Sequence, residues 1–451
     1  MKSKTILIAL LAVIVYVPGF AQAAEPPEPK LTLISNVNIF DGKNEKLHKN
    51  MHVLVKGNQI ETISSEPLAV IQTDNVTIVD GGGRTLMPGL IDAHVHISWV
   101  ISSPYAMFDT TPDYQAALTL AEAEATLMRG FTSVRDTTGQ VFGAKRAIDE
   151  GLFPGPRIWA SGAGISMTSG HGDFRFLSTL PRQMGGPAET EAERIGLIAF
   201  ADGVPEVLTA ARVQMRKGAH FLKMFTSGAV SGLRDPLDIG EFSFDEIKAA
   251  ADEAKRWNTY LAVHTYNDIG THLALEAGAM AIEHGNLMTE ETMKLAAEKG
   301  AFLSTQTGVF LSTPPADWNA ALIAKQKATR EGLDTMFALA KKYKVKIALG
   351  TDLVGPPEIK AEQSKELSNR LPWFTTAEIL TQATANNGEL LAMSGPRNPY
   401  PGKLGVIEEG ALADILLVNG NPVEDLTLFH DPENNLALIM KDGKIYKNTV
   451  N

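Results

Sequence analysis

Short apolar runs bounded by turn residues recur along this chain, and the segments between them change character in three zones. Between residues 31 and 88 the runs follow one another closely. Leu31-Thr32-Leu33-Ile34 and Met51-His52-Val53-Leu54-Val55 read as strands, with Lys56-Gly57-Asn58-Gln59 as a turn. The last zone, 401–451, has the same texture. Leu412-Ala413-Asp414-Ile415-Leu416-Leu417-Val418 lies between Gly410 and Asn419-Gly420, and Leu438-Ile439-Met440 leads through Lys441-Asp442-Gly443-Lys444 to Ile445-Tyr446. Neither zone is long enough for a good sheet by itself. Together they predict one small β-sandwich built from both termini.

The middle zone, 89–400, alternates apolar strand candidates with helical stretches, the pattern of an α/β fold with a parallel sheet. Eight candidates stand out: 90–97, 131–135, 157–161, 221–225, 261–264, 281–284, 301–304 and 345–350. Helical stretches such as Gln115 to Arg129, stopped by Gly130, separate them. Eight βα units over about 260 residues have the size of a (β/α)8 TIM barrel. The stretch from Gly162 to Val204 is too long for a plain connection and reads as an active-site loop or lid.

The N-terminus changes the picture of where the chain works. Lys2 and Lys4 precede an unbroken apolar run from Ile6 to Val17, Pro18-Gly19 breaks it, and Ala21-Gln22-Ala23 is a small-residue cleavage site. Residues 1–23 therefore read as a secretory signal peptide. The run is shorter than the ~20 residues of a spanning helix. An exported, periplasmic protein with no membrane anchor after cleavage is expected. The chain has no Cys, which leaves neither a disulfide nor a lipidated thiol. Removing Lys2 and Lys4 takes the formal charge from −11 to −13. An acidic chain without a basic stripe is a poor fit for nucleic acid.

The candidate chemistry lies at strand ends. His94-Val95-His96 closes an apolar run, and in a strand residues i and i+2 point the same way, so two imidazoles can grip one ion. By itself the pair is weak. It gains force from what stands at the ends of later strand candidates: Lys223, His264, His284 and Asp352. In a (β/α)8 barrel those ends converge on the active site. His94, His96 and Asp352 suit one ion and His264 and His284 a second, zinc or a similar divalent ion. An ammonium at Lys223 is no ligand. It is an interior lysine paired to a carboxylate, a catalytic amine, or a carbamate formed with CO2 that bridges two metals.

Five segments carry a family resemblance: Met87-Pro88-Gly89-Leu90-Ile91-Asp92-Ala93-His94-Val95-His96, Gly130-Phe131-Thr132-Ser133-Val134-Arg135-Asp136, Ile282-Glu283-His284-Gly285, Gly350-Thr351-Asp352 and Gly410-Ala411-Leu412-Ala413-Asp414-Ile415. With them the chain resembles the amidohydrolase superfamily. Within it the chain is most similar to the imidazolonepropionase-like group, and there to exported Xaa-Pro and Xaa-Arg dipeptidases and to amidases that cleave N-acyl amino acids of the ochratoxin type. The resemblance implies a binuclear zinc site with a carboxylated Lys223 as the bridge, His94, His96 and Asp352 on the first metal, and His264 and His284 on the second. It implies attack by a metal-bridging hydroxide on a small-molecule or short-peptide amide, and it allows a homo-oligomer. Imidazolonepropionases themselves lack the lysine, so Lys223 argues against that activity.

Asp352 is the expected proton carrier, from the nucleophile to the leaving amine; its other reading is an N-cap after Leu349-Gly350-Thr351. His171, in Ser169-Gly170-His171-Gly172-Asp173, either donates to a developing oxyanion or is an ordinary loop histidine. Tyr266 either binds a substrate carboxylate or is a rim tyrosine. Arg135 and Asp136 make an ion pair behind the metals or touch substrate. Glu122 and Glu124 read as a solvated helix face, and Glu290 and Glu291 as a first helical turn after the N-cap Thr289. The expected reaction is removal of a C-terminal amino acid from a dipeptide or N-acyl amino acid. A cyclic amide hydrolase and a non-catalytic scaffold are the alternatives, and the complete ligand set weighs against the scaffold.

Overall fold

A computed structural model describes residues 29–450. The signal peptide expected at 1–23 lies outside them. No helix among the described residues is long and apolar enough to cross a membrane.

Eight parallel strands form the central part: β1 (Leu90–Val95), β2 (Phe131–Asp136), β3 (Arg157–Ala160), β4 (Leu222–Phe225), β5 (Leu261–Asn267), β6 (Ala281–Leu287), β7 (Phe302–Thr305) and β8 (Ile347–Leu349). Each coincides with one of the eight candidates, though β5 and β6 run three residues further than the apolar pattern shows. β1, β2 and β3 make one sheet, and β4 to β8 belong to a second. Backbone hydrogen bonds join the two sheets at both seams. Asp352 N donates to His94 O (2.8 Å), and His220 N donates to Ala160 O (2.9 Å).

Helices separate the strands: α1 (Pro112–Met128), α2 (Phe142–Asp149), α3 (Val204–Lys217), α4 (Phe244–Arg256), α5 (Asp268–Ala277), α6 (Glu290–Lys299) and α7 (Ala320–Tyr343). Their apolar faces cover the outward strand positions. Met224, Val263, Ile282, Leu303 and Leu349 pack in one cluster with Val207, Ile247, Leu275, Met293 and Leu333. The alternate positions Ala262, Ala281, Phe302 and Ala348 form a different cluster with Ile91 and Ala93. Period-two alternation thus separates a helix-facing set from a set the strands enclose.

The stretch from Gly162 to Val204 is not a bare loop. Gly164–Ser166 and Ile198–Phe200 pair in parallel and extend the second sheet beyond β4. The terminal zones join as expected from their shared texture, but as one hydrogen-bonded sheet and not as the two separate sheets of the expected sandwich. Strands Leu31–Ile39, His48–Lys56, Gln59–Ser64, Val76–Asp80 and Thr85–Pro88 hydrogen-bond with Ile415–Val418, Leu436–Lys441 and Lys444–Asn448 in one eight-stranded sheet. The junction is the antiparallel pairing of Thr85–Pro88 with Ile415–Val418, immediately before β1.

Candidate metal centre

The enclosed positions within β4, β5 and β6 carry Lys223, His264 and Glu283, inside the strands rather than at the ends the apolar pattern suggests. By alternation the next residue, His284, belongs on the helix side. It does not go there. His284 has φ 76°, followed by Gly285 at φ 73°, and the β5–β6 register shifts between Thr265 and Asn267. The left-handed turn brings the imidazole inward, where its Nε2 lies 2.9 Å from Nδ1 of His264. Asp352 is held the same way, with φ 55°, and its backbone N donates to His94 O. Non-glycine residues in this region cost roughly 1–3 kcal/mol each and persist only where the surroundings impose them.

Three imidazoles spend Nδ1 away from the centre and turn Nε2 into it. His94 Nδ1 bonds Glu283 Oε2 (2.8 Å), His96 Nδ1 donates to Thr138 O (3.1 Å), and His284 Nδ1 meets Gln306 Oε1 (2.6 Å). Asp352 Oδ1 then lies 3.0 Å from His96 Nε2 and 3.4 Å from His94 Nε2. Outer partners of this kind fix the tautomer and aim of metal-binding histidines. His264 presents Nδ1 instead, and its buried Nε2 has no hydrogen-bond partner.

Burial decides the protonation states. Loss of water pushes His94 down to about 4, helped by Lys223, and His284 down to about 3. His264 is likewise well below its ordinary value, by burial first and then by His171 and His284. Near neutral pH these rings are uncharged, with lone pairs free to bind a cation. Burial alone would raise the Asp352 carboxyl, but His94 and His96 outweigh it and hold it well below the usual carboxylate range. Burial also lowers Lys223 to about 8. Its main counter-charge, Glu283, accepts hydrogen bonds from His94 and Arg135 instead.

These donors fit divalent metal. One ligand atom each from His94, His284 and Asp352 lie within 4.8 Å of one another. That group draws on both ligand sets read from the sequence, so the two sets share one cavity. Neutral imidazoles with an ionised carboxylate are what zinc and similar ions take. His171 and Tyr266 border the same cavity. The His171 ring stacks on His264 with centroids 4.5 Å apart, and Tyr266 stacks on His284 at 4.6 Å. Tyr266 is therefore buried against the centre rather than on an open rim.

Other expectations change. Arg135 and Asp136 do not pair with each other, because adjacent strand residues face opposite ways. Arg135 is fully buried and donates to Glu283 Oε1 (2.6 Å) and Ala93 O (2.5 Å), so its ion pair is with Glu283 behind His94. Asp136 accepts from Ile97 N (2.8 Å), and burial raises it to about 6. Glu122 is not solvated. It is 6% exposed and pairs with Arg129 at 2.5 Å, while Glu124 faces solvent as expected. Thr289 does cap α6.

The sequence reading missed Glu283, which stands beside His284 in a segment already singled out. In a regular strand the two would face opposite sides, and only the turn at His284 lets both reach His94. Glu283→Gln should test its weight. The substitution leaves the Arg135 guanidinium buried without an anion and takes the carboxylate from His94. Breaking a buried pair costs about 3–5 kcal/mol. A clearly lowered melting temperature is expected, together with weaker metal retention; an unchanged melting temperature would show that the pair is dispensable. Asp92 was also missed as a support. It accepts from Thr351 N (3.1 Å), Thr351 Oγ1 (2.6 Å) and Gln363 Nε2 (2.9 Å), tying β1 to the turn that carries Asp352.

Comparison with known proteins gives a consistent neighbourhood. The sequence profile of the Amidohydrolase family matches residues 85–447. Ochratoxinase from Aspergillus niger is 30% identical over 445 residues, spanning 94% of this chain and 88% of that protein. A solved prolidase complexed with N-methylphosphonate-L-proline superposes with a TM-score of 0.83 at 32% identity, covering 93% of this chain and 100% of the other. A Xaa-Pro dipeptidase with bound methionine in its active site gives a TM-score of 0.79 at 26% identity, again over 93% and 100%.

Proposed function

The chain belongs to the amidohydrolase family, and we propose that it is a binuclear amide hydrolase, built on a (β/α)8 barrel, that removes the C-terminal amino acid from dipeptides or N-acyl amino acids. The observation that carries the reading is the convergence of four imidazoles, three of them (His94, His264 and His284) kept neutral by burial, and the ionised Asp352 on one cavity, with His171 and Tyr266 stacked against two of those rings. The relatives support the substrate class. Two of them hold an amino acid or an amino-acid derivative, and the third is an ochratoxinase.

His94, His96 and Asp352 would hold one metal and His264 and His284 the other, with Lys223 as the bridge once its amine has taken up CO2. Two divalent ions there supply Lewis acidity that makes water a nucleophile near neutral pH and polarises an amide carbonyl. The chain's own groups do the rest. Asp352 takes the proton from the attacking water and hands it to the leaving nitrogen. His171 meets the carbonyl oxygen as it gains charge. Tyr266 keeps its phenol proton, since burial and then Asp352 raise it well above the ordinary value, and so it donates to the carboxylate of the departing amino acid. Asp352 and His171 retain 20% and 18% side-chain exposure, so substrate approaches past them.

A hydrolysis screen of the zinc-loaded protein tests this. The panel holds dipeptides and N-acyl amino acids with proline, aromatic, aliphatic and basic C-terminal residues, plus lactams and hydantoins. Cleavage of the acyclic compounds with a clear C-terminal preference is expected. Activity confined to the rings would replace the proposal with a cyclic amide hydrolase on the same centre.

A further inference from the structure

Between β4 and α4 the chain forms a strap, residues 226–241, whose ends meet. Glu241 N donates to Thr226 O (2.9 Å), and Ser227 bridges Gly240. The strap winds so tightly that a Cβ at Gly228 would collide with the Asp235 and Pro236 carbonyls, and one at Gly232 with the Asp235 carboxylate. Asp235 lies inside it, 3% exposed. Its Oδ2 accepts from Ala229 N (2.9 Å) and lies 2.9 Å from His171 Nδ1. A second strap residue, Glu241, accepts the His171 backbone N at 2.7 Å. One strap thus grips His171 by its ring and by its main chain.

The strap is itself fastened from outside. Lys325 on α7 donates its ammonium to Ala229 O (2.9 Å), Gly232 O (2.7 Å) and Asp235 O (2.8 Å). Three carbonyls converging on one ammonium use all its donors. Nothing about Lys325 suggests catalysis by proximity, since it reaches the centre only through the strap.

We propose that Lys325 and Asp235 are positioning residues for His171: Lys325 fixes the strap, and Asp235 binds Nδ1–H so that Nε2 is the ring nitrogen left to meet the substrate. The inference rests on the reading of His171 as the partner of the carbonyl oxygen. Orientation of a working imidazole by a buried carboxylate is a recurrent device, and its loss acts on the chemical step more than on folding.

A double-mutant cycle distinguishes the possibilities. Asp235→Asn and Lys325→Met should each lower kcat about tenfold or more, the size expected for groups that orient a site from outside. KM and metal content should change little. In a His171→Ala background neither substitution should lower kcat further. Additive losses in that background would overturn the positioning role while leaving His171 its function. A His171→Ala protein with wild-type kcat would overturn the function given to His171, and this inference with it. The nitrogen-15 resonances of His171 give a readout independent of activity. Nδ1 should carry the proton in the wild-type protein, and Asp235→Asn and Lys325→Met should weaken that preference; an unchanged tautomer in both would refute the proposal.

Discussion

Asp352→Asn is expected to lower kcat by about 10²–10⁴-fold, the range for removing a general acid–base group. The backbone gives the substitution a defined place to sit. Asp352 N is hydrogen-bonded to His94 O, and the residue occupies the left-handed region at φ 55°, which asparagine tolerates better than most residues. The side chain can thus keep its position while losing the ability to accept a proton from water. An amide there also turns an N–H or an uncharged oxygen toward His96 Nε2, 3.0 Å away, and so weakens metal binding. Activity must therefore be compared at matched metal content, measured by elemental analysis. A kcat within about threefold of wild type at full metal load would remove Asp352 from the proton path and leave it a ligand only.

How much of this centre could be read from the chain depends on where each residue gets its direction. Lys223 and His264 are the simplest. Each sits at an inward position of a regular strand, between outward Met224 or Val263 and their neighbours, so alternation alone places it. The eight strands were legible for the same reason, because buried parallel strands read as apolar runs. His284 and Asp352 were identified by type and position, but not by geometry. Their inward aim comes from positive φ, which neither periodicity nor propensity displays for a histidine or an aspartate. The cost is that Glu283, in plain view beside His284, was not seen as the residue joining His94 to Arg135.

A second group was invisible for a different reason. Asp235, Glu241 and Lys325 lie 64, 70 and 154 positions beyond His171, and nothing local marks any of them. Lys325 sits in α7 among other lysines and reads as one more solvated cation until three carbonyls are found around it. The same applies to Glu122. Its helix is rich in Ala and Leu, and nothing local separates Glu122, buried against Arg129, from the solvated Glu124 two residues on. Non-local pairings of charged groups are the part of a fold that a one-dimensional pattern conveys least.

Lys223→Ala should reduce activity more than any substitution around the centre that leaves the ligands intact. Outer partners of metal ligands are worth about 10–100-fold, so if Lys223 is the proposed bridge its removal should exceed about 100-fold and lower the metal content as well. The proposed bridge would explain why a lysine stands here although an ammonium cannot be a ligand. On that proposal the neutral amine would attack CO2, a C–N bond would form as one C–O π bond opens, one proton would leave to solvent, and an anionic carbamate with two oxygens would remain. Burial lowers Lys223 to about 8, so near pH 7 about a tenth of the amine is in the form that reacts, far more than for an exposed lysine. Lys223 is 2% exposed beside Ala262 on β5, so a carbamate there would be shielded from bulk water. Three measurements separate a carbamate bridge from an interior lysine that merely packs. Lys223→Ala should lose metal; Lys223→Met, which keeps the apolar stem, should lose it equally; and the wild-type protein, stripped and reloaded with zinc without bicarbonate, should regain less activity than with it. A Lys223→Met protein that retains metal and hydrolyses the same substrates at a near wild-type rate would show that the imidazoles and Asp352 suffice, and that the lysine is there for packing.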